Sequence, residues 1–220
     1  MRRPIALIAS LLLTAFAHAA APHISVPRAA SAPKIDGKVA PNEWKGAVRV
    51  RLGDKAHALL LHDGNYLYVA LVGREPGITS LCARGGKQVL VLHSSAALGT
   101  AAFTQEKEKW RMTRAFHWTN RDTSGTPAAM AERKKTLDAD GWFANTSPMA
   151  TLEREYLMRV GNQREIPLTL GYMTFSQKEQ HFYYWPEDVV DACADVELAS
   201  GYTDREYAFE PGTWGVADLQ

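Results

Sequence analysis

Planar aromatic and multi-donor side chains crowd one stretch of this chain. Between Trp110 and Asn145 lie Arg114, His117, Trp118, Asn120, Arg121, Asp122 and Trp142. An aromatic ring offers a flat apolar surface. A guanidinium offers a five-donor fork, and a carboxamide sets a donor beside an acceptor. Such parts suit a pocket with mostly apolar walls and a few placed polar groups that bind vicinal hydroxyls. The expected contacts are Trp118, Trp142 and Trp185 as stacking surfaces, with Arg114, Arg121 and Asn145 as hydrogen-bonding groups. Trp185 joins them as the end of the aromatic run Phe182-Tyr183-Tyr184-Trp185. Each Trp taken alone is better read as core, because burying it removes so much apolar area from water.

Spacing bears on other chemistries. His57 and His62 with Asp63 suggest a metal, but five positions along a strand place the two imidazoles on opposite faces. Asp36 and Asp63 each precede Gly and read as turn residues. His93-Ser94-Ser95 suggests hydrolysis, but no Gly-x-Ser-x-Gly elbow is present and adjacent strand residues point apart. Met112, His117, Met158 and Met173 are the strand residues available as axial ligands for haem b. Methionine on a strand is more often core filler. No catalytic residue, metal site or cofactor is therefore expected.

These residues need elements to position them, and the pattern is one of strands. Val48 and Val50 alternate with Arg49 and Arg51 within 47–52. Strands over 57–62 and 66–72 flank Asp63-Gly64, which favours a two-residue hairpin turn. Further strands are expected over 87–93, 109–119, 153–160, 166–175 and 181–184, with a last one within 207–216. In 109–119, Trp110, Met112, Phe116 and Trp118 share a parity with Arg114. Either that face opens into a pocket, or Arg114 snorkels outward from a strand end. Thr126-Pro127 starts a helix well, strong helix formers follow, and Gly141 can end it, so one inserted helix is expected at about 127–139. A short helical turn is expected over 187–192. Many short strands, one helix and frequent Gly/Pro turns give an all-β, antiparallel, jelly-roll-like β-sandwich.

Export is the remaining expectation. Arg2 and Arg3, the apolar run 5–16 and Ala17-His18-Ala19 compose a signal peptide over residues 1–19. Residues 20–33, rich in Ala, Pro and Ser, read as a flexible lead, and 34–220 as a single sandwich domain. Removing Arg2 and Arg3 leaves 23 Lys+Arg against 24 Asp+Glu, since the full chain has 25 and 24. That balance argues against nucleic acid or an anionic membrane as partner. The chain has 2 cysteines. In an oxidising compartment Cys82 and Cys193 are expected to pair. The expected location is periplasmic or secreted.

Ile35-Asp36-Gly37 leading to Trp44, followed by Leu67-Tyr68-Val69 after an Asp-containing turn, resembles the opening of carbohydrate-binding module family 9 and its DOMON-type relatives. The similarity covers residues 34–73. It implies a jelly-roll-like sandwich with Trp44 in its core. Similar sandwiches include sugar binders and haem b carriers. The resulting expectation is an exported, non-catalytic ligand-binding domain. Carbohydrate is the first ligand class; haem-based electron transfer and an extracytoplasmic enzyme are the alternatives.

Overall fold

The computed structural model describes residues 20–94, 97–119, 127–128, 131, 134–135, 142–146, 152–175, 179–189, 191, 193 and 207–220. The strands in chain order are β1 (His23–Val26), β2 (Val48–Leu52), β3 (Ala56–His62), β4 (Tyr66–Gly73), β5 (Gly77–Gly85) and β6 (Gln88–Ser94). They continue as β7 (Ala97–Glu106), β8 (Lys109–Thr119), β9 (Trp142–Thr146) and β10 (Glu153–Arg159). β11 (Glu165–Phe175), β12 (Gln180–Trp185) and β13 (Gly215–Leu219) complete them.

One sheet runs β1-β13-β11-β5-β6-β7-β8, with β12 also paired to β11; the other runs β2-β3-β4-β10-β9. All pairings are antiparallel except β1 with β13. This is the expected all-β sandwich. Alternation explains it: in β2, Val50 and Leu52 are buried while Arg49 and Arg51 are exposed, so one face packs and the other meets water. β4 is apolar on both faces because both are covered.

Between the sheets lies a core that includes Leu60, Leu67, Leu71, Leu81, Leu168, Leu170 and Tyr156. Two flanking segments complete the layering. Ile35 and Trp44 belong to the same cluster, and Trp44 is buried as expected. Glu155 fastens this segment. Its carboxylate accepts hydrogen bonds from the backbone N–H of Asp36 at 2.9 Å, that of Gly37 at 2.7 Å, and Trp44 Nε1 at 3.0 Å. Tyr156 reaches Thr79 of the opposite sheet, so its neighbour Glu155 faces outward toward the covering segment.

On the other flank, Val189, Cys193, Tyr207, Phe209 and Trp214 pack on Cys82, Val89, Val91, Phe103 and Trp110. Asp191 organises this cover, accepting from Cys193 N at 2.9 Å, Glu210 N at 2.8 Å and Trp214 Nε1 at 2.6 Å. The Cys82–Cys193 disulfide ties it to β5, with Cα atoms 6.1 Å apart.

Several expectations are corrected. Within the lead expected over 20–33, residues 23–26 form an edge strand, and Val26 is fully buried. The β3–β4 loop has three residues, Asp63 to Asn65, because Asp63 Oδ1 caps it by accepting from Asn65 N at 2.8 Å and Tyr66 N at 2.9 Å. The last strand is 215–219; Phe209 and Trp214 serve the outer cover instead. Of the short helical turn expected over 187–192, residues 187 and 188 form a turn, and residues 190 and 192 lie outside the described residues. In β8 the single face does not persist. Met112 pairs with Phe103 and Arg114 with Ala102, so Thr113 is an extra residue, a β-bulge that reverses parity. Thr113 Oγ1 donates to Ala102 O at 3.1 Å across the bulge. Trp110 is therefore sealed while Arg114 is exposed. Of the expected helix at about 127–139, the described residues 127, 128, 131, 134 and 135 are helical and exposed; the remainder lies outside the described residues.

Candidate functional site

Of the residues expected to form one binding site, those whose backbone is described lie on β8, β9 and β12. Trp118 pairs with Leu98 through its backbone on β8, and Arg114 is exposed on the same strand. On β9, Trp142 pairs with Met158 and Asn145 with Glu155. β9 lies near β7 across the sandwich, so β8 and β9 share one lateral edge. The side chains of Trp118, Trp142 and Asn145, and all of Arg121, lie outside the described residues. Trp185 is elsewhere. β12 is separated from β8 by β11, β5, β6 and β7, five strand spacings or roughly 24 Å. It is half-buried against the central core, its indole so close to Gly215 that no side chain would fit there. Trp185 thus packs on Gly215, and its strand is not adjacent to the one that carries Trp118.

The methionines weighed for haem are likewise apart. Met158 sits in the central core and Met112 against the outer one. His57 and His62 occupy opposite faces as expected. His62 is fully buried, with Nε2 2.6 Å from Gln220 O. His93 is buried on β6.

At the opposite lateral edge from β8 and β9, the outer face of β2 and β3 holds a cleft of about 470 Å³. Arg49, Arg51, Gly53, Asp54, Ala56, His57 and Arg74 line it. Its geometry follows from short-range rules. Arg49 and Arg51 are two apart on an edge strand and so share a face. Arg51 is directly opposite His57 in the register. The β2–β3 turn begins at Gly53, whose φ of +57° suits glycine and whose missing side chain admits the Tyr183 ring. Arg74, just past β4, is pinned beside this turn by its backbone N–H donating to Lys55 O at 2.8 Å.

Arg49 Nη2 lies 3.1 Å from His57 Nδ1. A guanidinium can only donate, so Nδ1 must carry the lone pair and the proton resides on Nε2. Burial, then the charges of Arg49 and Arg74, push His57 below its usual range, which agrees with a neutral ring presenting one N–H.

Among the described residues the three guanidiniums have no carboxylate partner within ion-pair distance. Asp54 lines the cleft with them, and the acids of neighbouring strands are engaged elsewhere. Glu75 binds Lys55 at 2.5 Å, Glu153 accepts from Val39 N at 2.9 Å, and Glu155 holds the 36–44 segment. Charge on an edge strand discourages unwanted pairing whatever its sign. Like charges about 7 Å apart on one face repel by about 0.6 kcal/mol even at the dielectric of water. The arrangement is set up for something that brings negative charge or acceptor oxygens. Sequence reading registered the alternation of Arg49 and Arg51 but not the cleft. The available signal was the β2–β3 register, which sets His57 against Arg51; Arg74 gave none.

No family model matches the chain, and no curated protein matches it. A solved structure from Bacteroides uniformis, provisionally named a carbohydrate-binding protein, is similar at 10% sequence identity with a TM-score of 0.48. The similarity covers 91% of this chain and 100% of that one.

Proposed function

We propose that this protein is an exported, non-catalytic binding domain for carbohydrate, and that the cleft of Arg49, Arg51, His57 and Arg74 is its contact site. The observation that carries the reading is the cleft itself: three guanidiniums around about 470 Å³, without carboxylate partners among the described residues. That volume lies within the range of small-ligand pockets, roughly 300–1,000 Å³. Guanidinium forks and the single imidazole N–H would donate to hydroxyl and ring oxygens. The leader at residues 1–19 supports export, and the Cys82–Cys193 disulfide fits an oxidising compartment. The β8–β9 edge is a second contact surface in this reading, where Trp118 and Trp142 would stack and Arg114, Arg121 and Asn145 would donate.

The test is a glycan array probed with the mature protein, followed by calorimetry on the hits. Binding that falls at least about tenfold in Arg51→Ala and Arg74→Ala, with an unchanged melting temperature, supports the site. Loss in Trp142→Ala alone would move the contact to the β8–β9 edge. A Soret band in the purified protein, or no binding to any glycan, would overturn the carbohydrate reading.

A further inference from the structure

We infer that the cleft selects acidic saccharides, taking a carboxylate on the sugar between Arg49, Arg51 and Arg74. This rests on the carbohydrate reading above and narrows it. Neutral sugars are usually held by mixed donors and acceptors, because each hydroxyl both gives and accepts a hydrogen bond. This cleft is lopsided. Its lining contributes three guanidiniums and, through the Arg49–His57 contact, an imidazole that offers only its N–H. Asp54 is the sole acid among the lining residues.

The imbalance is built in by the fold rather than scattered over the surface. β2 puts Arg49 and Arg51 on one face, the register sets His57 opposite Arg51, and the Lys55 carbonyl anchors Arg74 at the rim. Asp54 is in the lining itself, whereas Glu75 is committed to Lys55, and Glu153 and Glu155 to the backbone of the 36–44 cover. A planar carboxylate accepts two parallel N–H bonds from one guanidinium, and charge-assisted bonds of this kind are roughly twice as strong as neutral ones. A single bound carboxylate would also relieve the mutual repulsion of all three arginines.

The experiment compares three probes by calorimetry on the mature protein: a trigalacturonate, a neutral maltotriose and inorganic phosphate. The expected result is that trigalacturonate binds at least about tenfold tighter than maltotriose, with the preference shrinking as salt rises from about 0.05 M to about 0.5 M. The triple variant R49Q/R51Q/R74Q should lose that preference while its melting temperature stays level or rises, because the repulsion is gone. Maltotriose binding as tightly as trigalacturonate overturns the inference and leaves the carbohydrate reading standing. Phosphate binding with neither saccharide detected overturns the carbohydrate reading and keeps only the anion preference. No binding of any probe overturns both.

Discussion

Glu155 gives the most quantitative test of how the fold is held. Its side chain is fully buried and receives three N–H donors from the segment that covers the β2–β3–β4–β10–β9 sheet. Burial pushes its carboxyl from 4.5 up to about 7, against the opposing pull of Gly37 N, Trp44 Nε1 and Asp36 N. The native state therefore holds this proton more tightly than the unfolded chain does. That stabilisation is complete below pH 4.5 and lost as the pH rises through about 7. At about 1.4 kcal/mol per pH unit, the swing is on the order of 3 kcal/mol. Glu155→Gln cannot titrate. It carries a pH-independent loss of about 1–3 kcal/mol, because its amide N–H₂ would meet the Trp44 N–H. Urea unfolding of both proteins, followed by tryptophan fluorescence from pH 4 to 8, isolates the effect. The stability of the wild type minus that of E155Q should fall by up to about 3 kcal/mol across this range. A difference that stays constant with pH would mean that Glu155 titrates alike in the folded and unfolded chain, and would refute the reasoning.

Replacing both Cys82 and Cys193 with Ser should lower stability by several kcal/mol, since closing a loop of this length is worth up to about 4.7 kcal/mol in the chain-entropy model; a urea midpoint equal to that of the oxidised wild type would contradict it. Gly215→Ala should cost about 1–3 kcal/mol by forcing the Trp185 indole off its seat. A shift in tryptophan emission should accompany the lower melting temperature, and an unperturbed spectrum would count against the packing role. Thr113→Val should cost about 1 kcal/mol through loss of the bond to Ala102 O. No change in its urea midpoint would show that the bulge holds without it.

Strands that alternate or carry β-branched and aromatic residues were legible in the sequence, which is why β2, β3, β4, β8, β10 and β11 appear close to where expected. The strands that escaped reading lack that signal. β5 begins and ends in Gly, β7 is largely small residues, and β1 sits in an Ala/Pro-rich lead where its partner, β13, is nearly two hundred positions away. The bulge at Thr113 was invisible because one extra residue leaves composition unchanged while setting Arg114 on the other face from Met112. The disulfide was legible from compartment logic, although nothing local announces that 82 and 193 meet. For the candidate site, residue types pointed to the aromatic stretch, whereas the cleft needs Arg74 to be carried beside a turn twenty positions earlier. That juxtaposition depends on the β3–β4 pairing and on one backbone bond to Lys55. Trp185 shows the converse. Its type suits a binding plate, yet the topology commits it to the far edge of the sheet from Trp118.

The central claim is that the β2–β3 cleft binds ligand, and residue-resolved NMR tests it most directly. Titrating labelled mature protein with trigalacturonate should perturb the amides of Arg49, Arg51, Gly53, Asp54, His57 and Arg74 together, saturating along a single isotherm. Perturbations confined to β8 and β9, or absent altogether at saturating ligand, would contradict the account.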